Sequence, residues 1–143
     1  MSVEVDFFAA PDDETAARAL RTGPEAAHES LSMGNFDVEE AVVEWECLLT
    51  GGDFADLVAA GEPRTVAEDD SGCLVFALSA RLCAALAGAG ASRLRDLAVA
   101  WVALRAEDGE MIDAGIAHGI VGDLAALVGG AGRREQGVYC RVA

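Results

Sequence analysis

The sequence predicts a single α/β domain, with α+β as the neighbouring class. The expected sheet is small and mixed, with about three or more strands, the 73–78 segment central, and five to six helices covering it. Three observations lead there. Apolar side chains recur at helical spacing in several stretches, they alternate near both chain ends, and they run unbroken through Cys73-Leu74-Val75-Phe76-Ala77-Leu78. A period of 3.6 marks a helix with one buried face, and a period of 2 marks a strand half in water. A short continuous run marks a strand buried on both faces.

The elements follow in order. Val3, Val5 and Phe7 alternate with Glu4 and Asp6, which predicts a half-buried first strand. Pro11-Asp12-Asp13 opens a short helix, with carboxylates favourable at its positive end, and Gly23-Pro24 stops it. Residues 25–36 read as irregular, with a turn at Met33-Gly34-Asn35. Asp37 and Glu40 then form a capping-box pattern. Val38, Ala41, Val42, Trp45, Leu48 and Leu49 make an apolar stripe behind it, with Glu39, Glu40, Glu44 and Glu46 outside it or on its flanks. Thr50-Gly51-Gly52 ends that helix, and Asp53 caps a shorter one carrying Phe54, Leu57 and Val58.

Residues 62–72 read as a charged connector. Ser79 caps the helix after the apolar run, with Leu82, Ala85 and Leu86 facing inward as far as Gly88. Ser92 is the expected cap of the next helix, striped by Leu94, Leu97, Ala98, Trp101 and Leu104. Asp113 starts the last helix, striped by Ile116, Ile120, Leu124, Leu127 and Val128 and followed by a glycine-rich 129–132 segment. Its glycines at 115, 119 and 122 cost up to about 1 kcal/mol each in propensity, so close packing is the expected compensation. Val138, Cys140 and Val142 alternate with Tyr139 and Arg141 as a terminal strand.

Several signatures along this path resemble those of a known group of proteins. Phe7-Phe8-Ala9-Ala10, Trp45-Glu46-Cys47-Leu48-Leu49-Thr50-Gly51, Val75-Phe76-Ala77-Leu78-Ser79 and Gly137-Val138-Tyr139-Cys140 together resemble an uncharacterised actinobacterial protein family. More distantly the chain is similar to the YfbM-like, DUF1877-type small α/β bacterial proteins. The resemblance implies a two-layer or three-layer α/β fold and no particular activity.

Charge and composition narrow the function. The chain of 143 residues carries a formal charge of −15, and all its basic side chains are arginines. Phosphate backbones are held by clustered basic residues, and Arg133-Arg134 is the one adjacent pair here. Nucleic acid and anionic membrane surfaces are therefore not expected partners. No leader-like N-terminal pattern and no long apolar run is evident, and Cys47, Cys73, Cys83 and Cys140 form no C-x-x-C pair. Reduced, largely buried thiols in a cytoplasmic protein are the expectation.

No catalytic residue, cofactor-binding motif or metal site is predicted. His28 and His118 lack a local metal spacing, and no serine sits in a Gly-x-Ser-x-Gly elbow. Glu68-Asp69-Asp70 lacks a regular set of alternating ligands and reads as a solvated turn. A cysteine–histidine pair through Cys140 would need the fold to assemble it. The polar 62–72 connector remains, with Arg64, Thr65, Glu68, Asp69 and Asp70 as candidate protein-contact residues. The leading expectation is a non-catalytic protein-binding or accessory domain whose acidic surface meets a basic protein partner. Three alternatives stay open: an immunity protein against a cationic toxin, a small-molecule-binding protein or enzyme with a site hidden from sequence, and a structural subunit of an oligomer.

Overall fold

A computed structural model describes residues 4–23, 30–33 and 36–143. Five strands, β1 (Val5–Ala10), β2 (Ser30–Met33), β3 (Arg64–Glu68), β4 (Leu74–Ala77) and β5 (Gly137–Val142), form one sheet in the order β2-β1-β5-β4-β3. Around it are α1 (Asp13–Ala17), α2 (Ala19–Thr22), α3 (Val38–Thr50), α4 (Phe54–Ala59), α5 (Ala80–Ala87), α6 (Ala91–Glu107) and α7 (Ala114–Arg133). The α/β architecture is as the sequence predicts. The expected mixed sheet is instead antiparallel at every pairing.

The 73–78 run is interior, flanked by β3 and β5, but the middle of the sheet is β5. The last strand lies between the first and β4, and backbone bonds between Glu4 and Ala143 extend its pairing with β1. Strand pleating then sends alternate side chains into two cores. Val5, Phe7, Phe76, Val138 and Cys140 face the helical layer built from α3, α5, α6 and α7. Phe8, Val75, Ala77 and Tyr139 face a thin cover made by Ala16, Ala19 and Leu20 of α1 and α2. That double burial explains the unbroken apolar run of β4. It also makes β1, expected to be half-buried, buried on both faces from Phe7 onward.

α7 lies directly against β1, β2 and β5, with α5 and α6 packed on its flanks. By length and composition α7 could cross a membrane, with a mean hydropathy of 1.4 over its apolar window. Here it is the central core helix, burying Ala117, Val121, Leu124, Leu127, Val128 and Ala131. Its buried stripe is therefore shifted from the expected one, and Ile116 is solvent-exposed. The helix also runs through the glycine-rich segment to Arg133.

Other departures have local causes. Part of the 25–36 stretch forms β2, and residues 64–68 of the 62–72 connector form β3, both at the edges of the sheet. Edge strands face water along one side, so their polar residues hide the strand signal. Residues 24–29 and 34–35, and with the latter most of the turn expected at Met33-Gly34-Asn35, lie outside the described residues. Ser92 does not cap α6; the N-cap position is Gly90, with no side-chain bond. Asp12, Asp37, Asp53, Ser79 and Asp113 cap their helices as the residue types predict. Gly51 ends α3 in the left-handed conformation, at φ 75°.

Close packing does not account for Gly119 or Gly122 of α7. A methyl group at Gly119 or Gly122 would meet nothing within 4 Å. Gly119→Ala and Gly122→Ala are therefore expected to stabilise the protein by about 0.5–1 kcal/mol each. Thermal denaturation of the two variants checks this, and a lowered midpoint in both would contradict the open packing.

Candidate functional site

The residues singled out in the 62–72 segment do not converge on a pocket. Arg64 pairs with Asp13, with Nη1 and Nη2 donating to the two carboxylate oxygens at 2.8 and 3.2 Å. Tyr139 donates its hydroxyl to the same carboxylate at 2.8 Å. The hydrogen bonds from these two residues, Arg64 first, hold the Asp13 carboxyl below its usual range. Burial, reinforced by the bonded Asp13, pushes the Tyr139 phenol up to about 12. This triad ties α1 to the sheet. Thr65 and Glu68 are exposed on β3. Asp69 closes the β3–β4 turn, its Oδ1 accepting from Ser71 N, Ser71 Oγ and Cys73 N at 3.0, 2.7 and 3.1 Å. Asp70 is exposed beside it.

Reactive groups do not assemble either among the described residues. No three His, Cys, Asp or Glu side chains there come together as a metal-binding group. His118 is exposed on α7, and His28 lies outside the described residues. The four cysteines are free thiols. Burial pushes Cys83 up to about 11, raises Cys47 and lifts the fully enclosed Cys140 well above its ordinary value. A nucleophilic cysteine needs the opposite shift.

The structure does bring a second set of residues together. Where α6 turns into α7, beside β2, a cleft of about 480 Å³ opens on the helical layer. Its floor is aromatic and aliphatic: Phe36, Trp101, Ile112 and Ile120. Phe36 and Trp101 meet edge to face with centroids 5.9 Å apart, and Trp45 packs beneath Trp101 at 5.1 Å. Such aromatic pairs prefer tilted geometries that hold the rings in place. Leu31 and Ser32 of β2 close one side.

The rim is acidic. Glu110, Asp113 and Asp123 line it, and no arginine does. Asp113 is positioned by its capping bond, with Oδ1 accepting from Ile116 N at 2.9 Å. A Cβ at Gly115 would stand 3.1 Å from that oxygen, so the glycine leaves the cap its room. Two apolar side chains stand proud of the lip, Met111 at 86% and Ile116 at 62% exposure.

Behind the floor stands a buried ion pair between Arg105 of α6 and Glu44, a residue expected outside the α3 stripe or on its flank. Glu44 is only 4% exposed, and Glu46 on the same helix is equally buried. Glu46 accepts from the Ser79 hydroxyl. Glu44 accepts from Trp101 Nε1 at 3.2 Å and from Arg105 Nη1 at 3.1 Å. Arg105 also reaches Glu40 at 3.1 Å, Asp108, and Glu110 at 3.5 Å. Burial raises the Glu44 carboxyl, and the facing Arg105 guanidinium only partly offsets that rise. The available sequence signal was spacing: Trp101 and Arg105 are four apart, as are Glu40 and Glu44, so each pair shares a helix face.

No family model, curated protein or solved structure matches the chain at a significant level.

Removing one partner of a buried ion pair typically costs about 3–5 kcal/mol, because the other charge is left uncompensated. Arg105→Met is expected to lose that much in urea titrations at mildly alkaline pH, and adding Glu44→Gln to recover most of it. A carboxyl whose folded pKa is raised contributes most below its unfolded pKa, and loses that contribution as pH rises through the folded value. The Arg105→Met deficit should therefore shrink on acidification. A pH-independent deficit, unrelieved by the second substitution, would contradict the assigned pairing.

Proposed function

We propose that this protein is a non-catalytic binding domain that recognises a partner of positive charge. The observation that carries the reading is the cleft itself, an apolar floor behind an acidic rim with no arginine among its described lining residues. Such a site selects against anions twice, through its local carboxylates and through the field of a chain with charge −15. Phosphate-bearing nucleic acids and anionic bilayers are disfavoured by the same field. Free thiols suit a reducing compartment, and we place the protein in the cytoplasm.

Electrostatic recognition speeds encounter and weakens as salt screens it. The immobilised protein is expected to retain basic proteins from lysate at low ionic strength and to release them at high salt. Mass spectrometry of the retained fraction against the input checks this. A retained set with no basic bias, or one indifferent to salt, would count against the proposal.

A further inference from the structure

We infer that the cleft between α6 and α7 docks a segment of the basic partner in which an apolar anchor side chain is flanked by lysine or arginine. The inference rests on the reading of the preceding subsection and names the chemistry of the occupant. The floor offers Phe36, Trp101, Ile112 and Ile120 to an aliphatic or aromatic group. Gly119 also lines the cleft, and the open space where its side chain would be deepens it. A buried apolar anchor in a pocket, surrounded by contacts that exclude water, is the usual energetic centre of a protein interface.

The charge around the floor sets what flanks the anchor. Asp123 lines the cleft and makes no hydrogen bond or ion pair with the described residues, so its charge faces outward unshared. Glu110 shares the Arg105 guanidinium, 3.5 Å away behind the lining, and Asp113 accepts from the amide it caps, so both rim carboxylates are partly offset. A guanidinium or ammonium beside the anchor would meet carboxylates on this side of the cleft.

The lip distinguishes a protein segment from a small ammonium ligand. A small amine sunk on the floor would leave Met111 and Ile116 in water, where they stand at 86% and 62% exposure. A peptide backbone crossing the cleft would cover both. Methionine suits such a contact because its flexible thioether adapts to varied surfaces.

The test is selection of a random peptide library, displayed on phage, against the folded protein. The expected consensus is one large apolar residue with neighbouring Arg or Lys. A synthetic peptide of that consensus should shift the backbone amide resonances of Gly119 and Ile120. Its affinity should fall about tenfold or more in the Met111→Ser/Ile116→Ser double variant. Asp123→Asn should weaken it less and flatten its salt dependence. Equal melting temperatures for all variants keep folding out of the comparison.

No enrichment of basic residues beside an apolar anchor would overturn the inference. So would a selected peptide that ignores the Met111/Ile116 double variant. If that peptide is basic and salt-sensitive, the broader reading of an acidic binding domain survives and only the cleft assignment falls. A simple arylalkylamine that displaces the peptide at comparable concentration, and is itself unaffected by the lip substitutions, would overturn it in favour of a small-ligand pocket.

Discussion

A carboxylate buried among indoles must find a cation, and in this protein that requirement organises the helical layer. Glu44 on α3 is enclosed, and Arg105 on α6 is the guanidinium that faces it. The Trp101 indole donates to the same carboxylate. α3 and α6 are thus locked in register by one charged contact set inside an aromatic column running from Phe7 through Trp45 and Trp101 to Phe36. Replacing such a pair with apolar residues is often neutral, whereas orphaning one partner is costly. The pair therefore acts mainly as a constraint on geometry. Because Arg105 also reaches Glu110, the constraint carries through to the edge of the cleft.

The sheet imposes a different constraint. With β5 in the middle and both faces covered, alternate residues of β1, β4 and β5 must satisfy two unequal cores. The larger core holds both tryptophans under α3 and α6. The smaller is closed by alanines of α1 and α2, and it depends on the Asp13–Arg64–Tyr139 contacts to hold α1 down. Arg64, an expected contact residue, thereby pairs with Asp13 while its side chain stays exposed.

The cleft lies where burial is incomplete. α7 turns Ala117 and Val121 toward the sheet, which leaves Ile116 outside and Ile120 half-covered. Apolar side chains left at a lip over an aromatic floor, with acids beside them, are what the proposed docking of a basic segment would use. The same carboxylates that suit a cationic partner oppose self-association through that face.

Much of the architecture was legible from local chemistry. The aspartates at 37, 53 and 113 and Ser79 mark helix starts because their side-chain oxygens accept the first free amides, and they do so here. The β4 run announces its own double burial. The edge strands β2 and β3 were hidden because Ser30, Ser32, Arg64 and Glu68 meet water, and local pattern cannot tell an edge from a loop. The candidate site was not legible at all. Its parts are spread over β2, the start of α3, α6 and α7, and no motif joins them.

The amino-acid sequence by itself determined the aspartate and Ser79 caps, the doubly buried β4 run, the α3 and α5 stripes and the strongly negative charge. These follow from interactions between residues a few positions apart, or from composition alone. Only the tertiary structure decided that β5 occupies the middle of the sheet, that Glu44 is an internal ion and that the α6–α7 cleft exists. Each of those depends on which distant segments exclude water from one another, and that choice is made by the packing of the whole chain.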